Sequence, residues 1–344
     1  MNTPAVTVAV CTHNRAGKLE RCLAALALQK TSSSLTVLVI DDGSTDDTRA
    51  VAEAAGVTYL RQEPQQGLGA ARVRALAATE SPLLILTDDD CLPDPDWVER
   101  LVVAMEDPAV VAAGGAVTPA ETDHVLLRYY AVTNPVSALP PSLLVGGGAL
   151  YRLRLQLENH VRLPRPLRPG PLYAAVGANM ILRVDALRAV GGFDAAMTFG
   201  GEDEDVCVRL RERFGDDSIV YVEDAHVGHD YDPSLRDALR RKRAYGAGAG
   251  RNFVNNRSGL PPLFPGPIAV AAVAGTALLA RRHRPSLLLA ALSAPLAVYP
   301  RWSMRALRER DPESLAYAYI QFGEEAATTG GFFAGVLRTV RGKR

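Results

Sequence analysis

The chain has 344 residues, of which 48% are hydrophobic and 22% charged, and this balance excludes a disordered or fibrous protein. Its 38 basic and 38 acidic side chains cancel overall, but residues 1–235 carry 20 basic and 32 acidic side chains, whereas residues 236–344 carry 18 and 6. The length suggests about two domains. We therefore predict an acidic domain over 1–235 and a basic, partly apolar helical region over 236–344.

The four cysteines, at positions 11, 22, 91 and 207, form no C-x-x-C pair. So few cysteines in so long a chain argue against a disulfide framework. The N-terminus lacks the basic and apolar regions of a signal peptide. These features predict reduced thiols and a cytoplasmic location.

Short apolar runs alternate with helical patterns over the first 116 residues. Strands are predicted at Thr7–Cys11, Leu35–Asp41, Thr58–Arg61, Leu83–Thr87 and Val110–Ala116. The order strand, helix, strand with short links predicts an α/β fold with a mostly parallel sheet flanked by helices. After the second strand, Ser44 or Thr45 is predicted to cap the next helix.

The pattern changes between residues 117 and 172, where prolines are frequent and Gly146–Gly148 interrupt the chain. We predict a helix around Arg152–Asn159 there and interpret the rest as an excursion over the active-site face. Regular patterns then return as an apolar segment, two helices and a short strand. These are Ala178–Arg183, Val184–Val190, Asp203–Phe214 and Ile219–Val222.

The region 236–344 contains two apolar stretches, Leu263–Ala280 and Leu287–Val298, joined by the basic segment Arg281–Pro285. Both are shorter than the roughly 20 residues that a membrane-spanning helix needs. If both spanned, the basic turn would be translocated, against the positive-inside tendency. Interfacial or re-entrant helices, or a buried hairpin, are therefore predicted.

Three adjacent carboxylates, Asp88–Asp90, follow the apolar strand that begins at Leu83. In an open parallel sheet, ligands bind beyond the carboxyl ends of the strands. A Mg²⁺ or Mn²⁺ ion bound by carboxylates and substrate phosphates would relieve the repulsion among these side chains. The alternative is a helix N-terminal cluster or a solvated turn.

Two more acidic clusters lie beside predicted elements. Asp41 and Asp42 end a strand and could accept from a ribose hydroxyl or a base N–H, although Asp-Asp-Gly-Ser is also a common turn. Glu202–Asp205 begin a helix, where the macrodipole stabilises acids without any catalysis. A carboxylate there, next to two glycines, could also act as a general base towards an acceptor hydroxyl.

His226 and His229 come just after the predicted strand Ile219–Val222. A single histidine is often structural. His229 could nevertheless complete a Mn²⁺ site whose other ligand is Asp90, because neutral imidazole is a common metal ligand.

Six sequence blocks, taken together, resemble the family 2 glycosyltransferases in order and spacing. They are Val10–Arg15, Val39–Asp46, Gly69–Arg72, Leu86–Asp90, Gly192–Asp194 and Gly201–Asp205. The resemblance covers about residues 5–235. It implies a GT-A fold with a Rossmann-like sheet, a donor half over about 1–116 and an acceptor half over about 117–235.

The resemblance also implies inversion at the anomeric carbon of a nucleotide-sugar donor, with UDP- or dTDP-sugars favoured. Donor-binding residues would then be Thr12, Asn14, Arg15, Asp42, Arg72, Asp88 and Asp89. Asp88 and Asp90 would form the Asp-x-Asp motif, with Asp90 the principal metal ligand and His229 reaching the same region. Asp203 would be the base and Glu202 an acceptor contact. Val73, where many relatives carry Asn, departs from the pattern.

The predicted partners are a nucleotide-sugar donor, Mg²⁺ or Mn²⁺, and a carbohydrate, lipid-linked or small-molecule acceptor. Nucleic acid is not predicted, because the basic region lacks interleaved aromatic residues. Its charge, its apolar stretches and Trp302 predict peripheral contact with the inner face of the cell membrane. A helical subdomain that packs on the first domain or across a homodimer is the alternative.

Two other functions stay open from the residues alone. One is nucleotidyl transfer on a related α/β sheet, which would need a basic, Gly-rich phosphate loop near the first strand; only Arg15 and Lys18 are basic there. The other is a non-catalytic module that binds a membrane surface, in which the acidic residues serve only capping and solubility.

Overall fold

The computed structural model describes residues 4–140, 142, 149–198, 200–256, 275 and 285–342. The chain divides into two compact units. Unit 1 is Met1–Glu121, Asn134–Val145 and Pro166–Tyr231; unit 2 is Thr122–Thr133, Gly146–Arg165 and Asp232–Arg344. The predicted domain boundary at residue 235 stays a prediction. Unit 2 also includes Thr122–Thr133 and Gly146–Arg165, which belong to the predicted acceptor half.

Unit 1 is a mixed sheet with helices. Its strands are β1 (Val6–Thr12), β2 (Leu35–Asp41), β3 (Thr58–Arg61), β4 (Leu83–Asp88), β5 (Cys91–Pro93), β6 (Ala112–Pro119), β7 (Gly170–Pro171), β8 (Met180–Arg183) and β9 (Ile219–His229). Its helices are α1 (Ala16–Ala27), α2 (Thr48–Ala54), α3 (Leu68–Ala78), α4 (Trp97–Ala104), α7 (Val184–Ala189) and α8 (Glu202–Phe214).

The sheet order is β3-β2-β1-β4-β8-β6-β9-β5, with β7 paired to β9. The first four of these strands are parallel, whereas β8 runs antiparallel to both β4 and β6. This confirms the predicted α/β class with a mostly parallel sheet. The carboxyl ends of β1, β2 and β4 therefore meet at one edge, where the acidic motifs lie.

Alternate residues of the central strands face two separate cores. Val8 and Val10 of β1 belong to one core and Ala9 to the other, and all three are fully buried. Such burial on both faces explains the continuous apolar runs in these strands, since helices cover both sides of a parallel sheet.

Two local predictions were wrong. Helix α2 begins at Thr48, whose backbone N–H donates to Asp46 Oδ1 at 3.1 Å; Ser44 and Thr45 do not cap it and instead bond to Asn14. Strand β9 extends to His229 instead of ending near Val222, because a register shift between Gly115 and Ala116 of β6 lets the two strands continue side by side.

Unit 2 is helical. It contains α5 (Val125–Thr133), α6 (Ala149–Val161), α9 (Leu235–Asn256), α10 (Pro285–Val298), α11 (Pro300–Glu309) and α12 (Ser314–Gly342). Helices α9 and α12 pack at backbone distance: a Cβ atom on Gly246 would lie 2.1 Å from the carbonyl oxygen of Thr328. The predicted helix around Arg152–Asn159 and the helical C-terminal region are confirmed.

The predicted apolar stretch Leu287–Val298 lies within α10. The stretch Leu263–Ala280 lies outside the described residues apart from Gly275, as do Gly146–Gly148 and, apart from Pro285, the segment Arg281–Pro285. No helix in the described part of the chain combines the length and the apolar character needed to cross a bilayer.

Candidate active site

The three carboxylates Asp88–Asp90 lie at the end of β4, where β4 pairs with β1. Thr12, the last residue of β1, donates a hydrogen bond of 2.7 Å from Oγ1 to Oδ2 of Asp89. Arg15 follows β1 and donates from Nη1 to both Asp89 Oδ1, at 3.0 Å, and Asp90 Oδ2, at 2.9 Å. The sheet thus brings the first and fourth sequence blocks together.

His229 reaches the same carboxylates through strand pairing. Strands β5 and β9 are antiparallel and place Cys91 opposite His229. The Nε2 atom of His229 lies 3.3 Å from Oδ1 of Asp90. One ligand atom from each of Asp88, Asp90, Cys91 and His229 falls within 4.8 Å of the others, a spacing that a single cation can bridge.

His226 lies within β9 but does not belong to this group. Its ring contacts Thr118 Oγ1 at 2.7 Å and Asp94 Oδ2 at 3.2 Å. The sequence placed both histidines after a strand. The structure separates them, with only His229 at the carboxylates.

Burial and crowding raise the pKa values of two of these acids. Burial, opposed by Arg72 and assisted by the charges of Asp90 and Asp89, raises the pKa of Asp88 to about 7. Burial, then the charge of Asp90, raises the pKa of Asp89 to about 6. A site with this much unbalanced negative charge suits a cation.

The chemistry of the donor set fits Mg²⁺ or Mn²⁺. Burial, followed by the charges of Asp88 and Asp90, raises the pKa of the Cys91 thiol well above its ordinary value. This shift disfavours the thiolate, the form of cysteine that ligates metals, before a cation binds. Two carboxylates and one imidazole remain, and oxygen-rich sets of this kind prefer hard divalent ions.

Arg72 joins the carboxylates of β4 to helix α8. It extends from α3, is 3% exposed, forms an ion pair with Glu202 Oε1 and lies with Nη2 3.6 Å from Asp88 Oδ1. Glu202 is 2% exposed, so it is not the accessible carboxylate that the sequence predicted at this helix start. Its Oε2 atom has no hydrogen-bond partner among the described residues.

Asp203 is the next residue of α8 and is partly exposed. Its Oδ2 atom accepts from the backbone N–H of Gly177 at 3.0 Å, and its Oδ1 atom from that of Glu204 at 2.8 Å. Both bonds orient the carboxylate without covering it completely, as a general base requires. Asp205 differs, since it pairs with Arg209 one turn further along the helix.

Asp42 and Asn14 are tied to protein partners. Asp42 is 5% exposed and accepts from the backbone N–H of Gln66 at 2.7 Å and of Gly67 at 2.8 Å, so it holds the loop before α3. Asn14 has a φ of +52° and accepts from the N–H of Thr45 at 2.7 Å. Their predicted contacts with a nucleoside stay predictions.

Sequence reasoning missed three residues here: Cys91, Gly177 and Asn179, whose buried side chain bonds to Trp97 and to the carbonyls of Ala116 and Ala225. The position of Cys91, directly after Asp90, is the only signal that could have indicated a fourth group near the cation site. Gly177 and Asn179 carry no motif, because their roles depend on strands that are distant in sequence.

A model of the family described as Glycosyl transferase family 2 matches residues 7–190. The chain belongs to this family. The match spans the first four of the six sequence blocks and most of the sheet of unit 1, so the predicted family is confirmed.

Curated relatives carry the same family resemblance. The chain is 31% identical over 263 residues to the pre-mycofactocin glycosyltransferase of Mycobacterium tuberculosis, covering 75% of this chain and 49% of that protein. It is 30% identical over 229 residues to the validoxylamine A glucosyltransferase of Streptomyces hygroscopicus subsp. jinggangensis, covering 61% and 52%. The chain thus spans about half the length of these relatives.

Solved structures share the fold. A mannosyltransferase from Pyrobaculum calidifontis, solved with GDP-Man and Mn²⁺, matches with a TM-score of 0.56 at 17% identity over 99% of this chain and 88% of that one. GalNAc-T7, solved with UDP, GalNAc and Mn²⁺, matches with a TM-score of 0.52 at 15% identity over 79% and 52%. Unit 1 accordingly has a GT-A fold.

Proposed function

We propose that this chain transfers a sugar from a nucleotide diphosphate sugar to an acceptor hydroxyl with inversion at the anomeric carbon. The observation that carries the proposal is that Arg72 pairs both with Asp88, in the candidate cation group at the sheet edge, and with Glu202, which directly precedes Asp203 in α8. The family supports it, as do the GDP-Man bound by one protein of the same fold and the UDP and GalNAc bound by another.

On the donor side, Asp88, Asp90 and His229 would hold a Mg²⁺ or Mn²⁺ ion, which when bound acts as a Lewis acid on the diphosphate leaving group. Arg15 and Arg72 add positive charge beside the carboxylates. Thr12 and Arg15 fix Asp89, and this keeps the cluster in one conformation. UDP- or dTDP-sugars are the proposed donors.

On the acceptor side, Asp203 removes the proton from the attacking hydroxyl. Displacement at an anomeric carbon passes through an oxocarbenium-like state, so the base must act from the face opposite the leaving diphosphate. Asp203 extends from α8 rather than from β4, which suits that separation of tasks. The acceptor is a carbohydrate, a lipid-linked or a small-molecule hydroxyl compound.

Family membership favours this proposal over nucleotidyl transfer and over a non-catalytic binding module. The carboxylate cluster supports the same choice, because adjacent acids with raised pKa values, Asp89 buried and Asp88 half-buried, are an unfavourable arrangement for mere solubility. A homodimer stays a prediction.

The proposal is tested first by thermal shift with UDP, dTDP and GDP, each with Mn²⁺, Mg²⁺ or a chelator. A ligand that binds only the native state raises the melting temperature, so one nucleotide should do so in a metal-dependent manner. Release of that nucleotide from its sugar conjugate on addition of acceptor, with inverted product configuration by NMR, completes the test. Retention of configuration would contradict the role of Asp203.

We further propose that unit 2 binds an anionic lipid surface through the end of α12. Phe333, Leu337 and Val340 follow one face of this helix and are 55%, 57% and 41% exposed. Arg338 and Arg341 are exposed beside them. An apolar stripe flanked by basic residues is the pattern of an interfacial helix, and each basic residue near anionic lipid contributes about 1 kcal/mol.

Co-sedimentation with phosphatidylserine-containing and neutral vesicles tests this surface. Binding should require the anionic lipid and weaken at high salt, since such attraction is screened over about 8 Å at physiological ionic strength. Leu337→Ser should weaken binding, whereas Leu307→Ser, on α11 and 82% exposed, serves as the matched control. Equal loss in both variants, or no binding at low salt, would refute the proposal.

A further inference from the structure

The turn before β8 lies between the donor-side and acceptor-side groups. Val176 and Asn179 form an isolated β-bridge, and the N–H of Asn179 donates to the carbonyl of Val176 at 2.9 Å. Asn179 is fully buried and anchors the turn: its side chain bonds to Trp97 and to two backbone carbonyls. The turn is therefore held in one place by the core of unit 1.

Gly177, within this turn, contacts both sides of the site. A Cβ atom on Gly177 would lie 1.9 Å from Nη2 and 2.4 Å from Cζ of Arg72, so the guanidinium occupies the space that a side chain would fill. The backbone N–H of the same residue donates to Oδ2 of Asp203 at 3.0 Å. Gly177 thus adjoins Arg72, which pairs with Asp88, and binds Asp203, the proposed base.

We propose that Gly177 is a positioning residue, which fixes Arg72 between Glu202 and Asp88 and orients the carboxylate of Asp203 through its N–H. This inference rests on the proposed function. Arg72 is a buried cation paired on both sides, so any displacement separates it from at least one carboxylate. Donor binding would then lose a correctly placed positive charge.

Gly177→Ala tests the contact with Arg72 separately from the contact with Asp203. The φ of Gly177 is outside the left-handed region, so alanine can adopt this backbone and keep the N–H that binds Asp203. The atoms nearest the added methyl group belong to the end of a long side chain, which can move while the fold persists. The variant therefore displaces Arg72 and spares the base.

The experiment measures the affinity for UDP, dTDP and GDP with saturating Mn²⁺ by calorimetry for Gly177→Ala, Arg72→Lys and the double variant. We expect the better-bound nucleotide to lose about 10-fold in affinity in Gly177→Ala, with a larger increase in donor KM than decrease in kcat. In the Arg72→Lys background the extra methyl group should cost much less, because the ammonium leaves that space free. Contacting residues are expected to be non-additive in this way.

Gly17→Ala is the matched control, since nothing lies within 4 Å of a Cβ atom at Gly17. Additive effects in the double variant, or a Gly177→Ala variant equal to Gly17→Ala, would overturn the role of Gly177. The same double-mutant cycle can be measured in the free energy of unfolding, which needs no ligand. The effects of Gly177→Ala and Arg72→Lys on this free energy must also be non-additive. A wild-type protein that binds no nucleoside diphosphate but shows this coupling would refute the proposed function, and would leave Gly177 a purely structural role.

Discussion

At the scale of single residues, the site is defined by charge that the protein does not fully neutralise. Arg15 and Arg72 contact the three carboxylates of β4. The pKa of Asp88 is nevertheless about 7 and that of Asp89 about 6, with burial the largest cause of both shifts. Unneutralised charge of this kind costs stability and is typical of a functional site.

Asp90→Ala should abolish metal-dependent nucleotide binding and turnover while the protein stays folded. The variant removes a proposed ligand and also one of the like charges that raise the pKa of Asp88, so the melting temperature without metal should be unchanged or higher. Calorimetry with Mn²⁺ and nucleotide, and a thermal melt, measure the two effects. Asp217→Ala, at an exposed position, is the control; full activity of Asp90→Ala in a chelator would contradict the assignment.

Asp203→Asn should lower kcat by about 10²–10⁴-fold and change donor affinity little, because a general base acts in the transition state. The amide keeps the shape of the side chain but does not accept a proton at working pH. Steady-state kinetics with varied donor separates kcat from KM. The control Glu212→Gln, at an exposed position of α8, should change neither kcat nor donor affinity. If Asp203→Asn lost donor affinity with unchanged kcat, the role of Asp203 as the base would be wrong.

At the scale of elements, the register shift between β6 and β9 decides where His229 lies. The shift falls after Gly115, and the buried side chain of Asn179 donates to the carbonyls of Ala116 and Ala225 at 2.8 Å each. These bonds replace ladder bonds that the irregular pairing leaves unmade. They also let β9 continue far enough to bring His229 opposite Cys91.

Asn179→Ala should destabilise unit 1 by about 3 kcal/mol, because buried groups that lose a hydrogen-bond partner each cost about 1–3 kcal/mol. In this variant the indole N–H of Trp97 loses its acceptor, and the carbonyls of Ala116 and Ala225 lose their donor. Urea unfolding gives the change in free energy. Asn255→Ala, exposed on α9, should change it by less than about 0.5 kcal/mol; an equal effect of the two variants would argue against this role.

At the scale of the whole molecule, each unit has its own buried polar network. In unit 2, Glu325 accepts from Tyr299 Oη at 2.8 Å and Gln321 Nε2 at 2.9 Å, and His160 Nε2 lies 3.3 Å away. Burial acts to raise the pKa of Glu325, but these partners outweigh it, so the pKa lies below its ordinary value. Folding of unit 2 thus favours the ionised form of this acid.

Glu325→Gln should therefore destabilise unit 2 by about 2 kcal/mol at pH 7, as hydrogen bonds to a charged group contribute about 1.5–3 kcal/mol. The pKa of Glu325 is lower in the folded protein than in the unfolded chain, where it is about 4.3, so its ionisation stabilises unit 2 at pH values above that value. This contribution is lost as the pH falls through the folded-state pKa. The difference between wild type and variant should shrink below about pH 4. Urea melts at pH 7, 5 and 3 measure it, with the exposed Glu309→Gln as control; a difference that grows at low pH would contradict the sign.

The family, the sheet of unit 1 and the carboxylates of Asp88–Asp90 could be predicted because strand patterns and acidic motifs are local in the sequence. The burial of Glu202 and the protein partners of Asp42 could not, since each depends on side chains from another element. The separation of His226 from His229 depended on a register shift that no local pattern encodes. The position of Gly177 was equally hidden, because only packing brings its Cα against a guanidinium from α3.

The sequence by itself thus determined which residue types stand at the strand and helix ends. The tertiary structure decided which of them are buried, paired or within reach of one another, because long-range packing alone sets those distances.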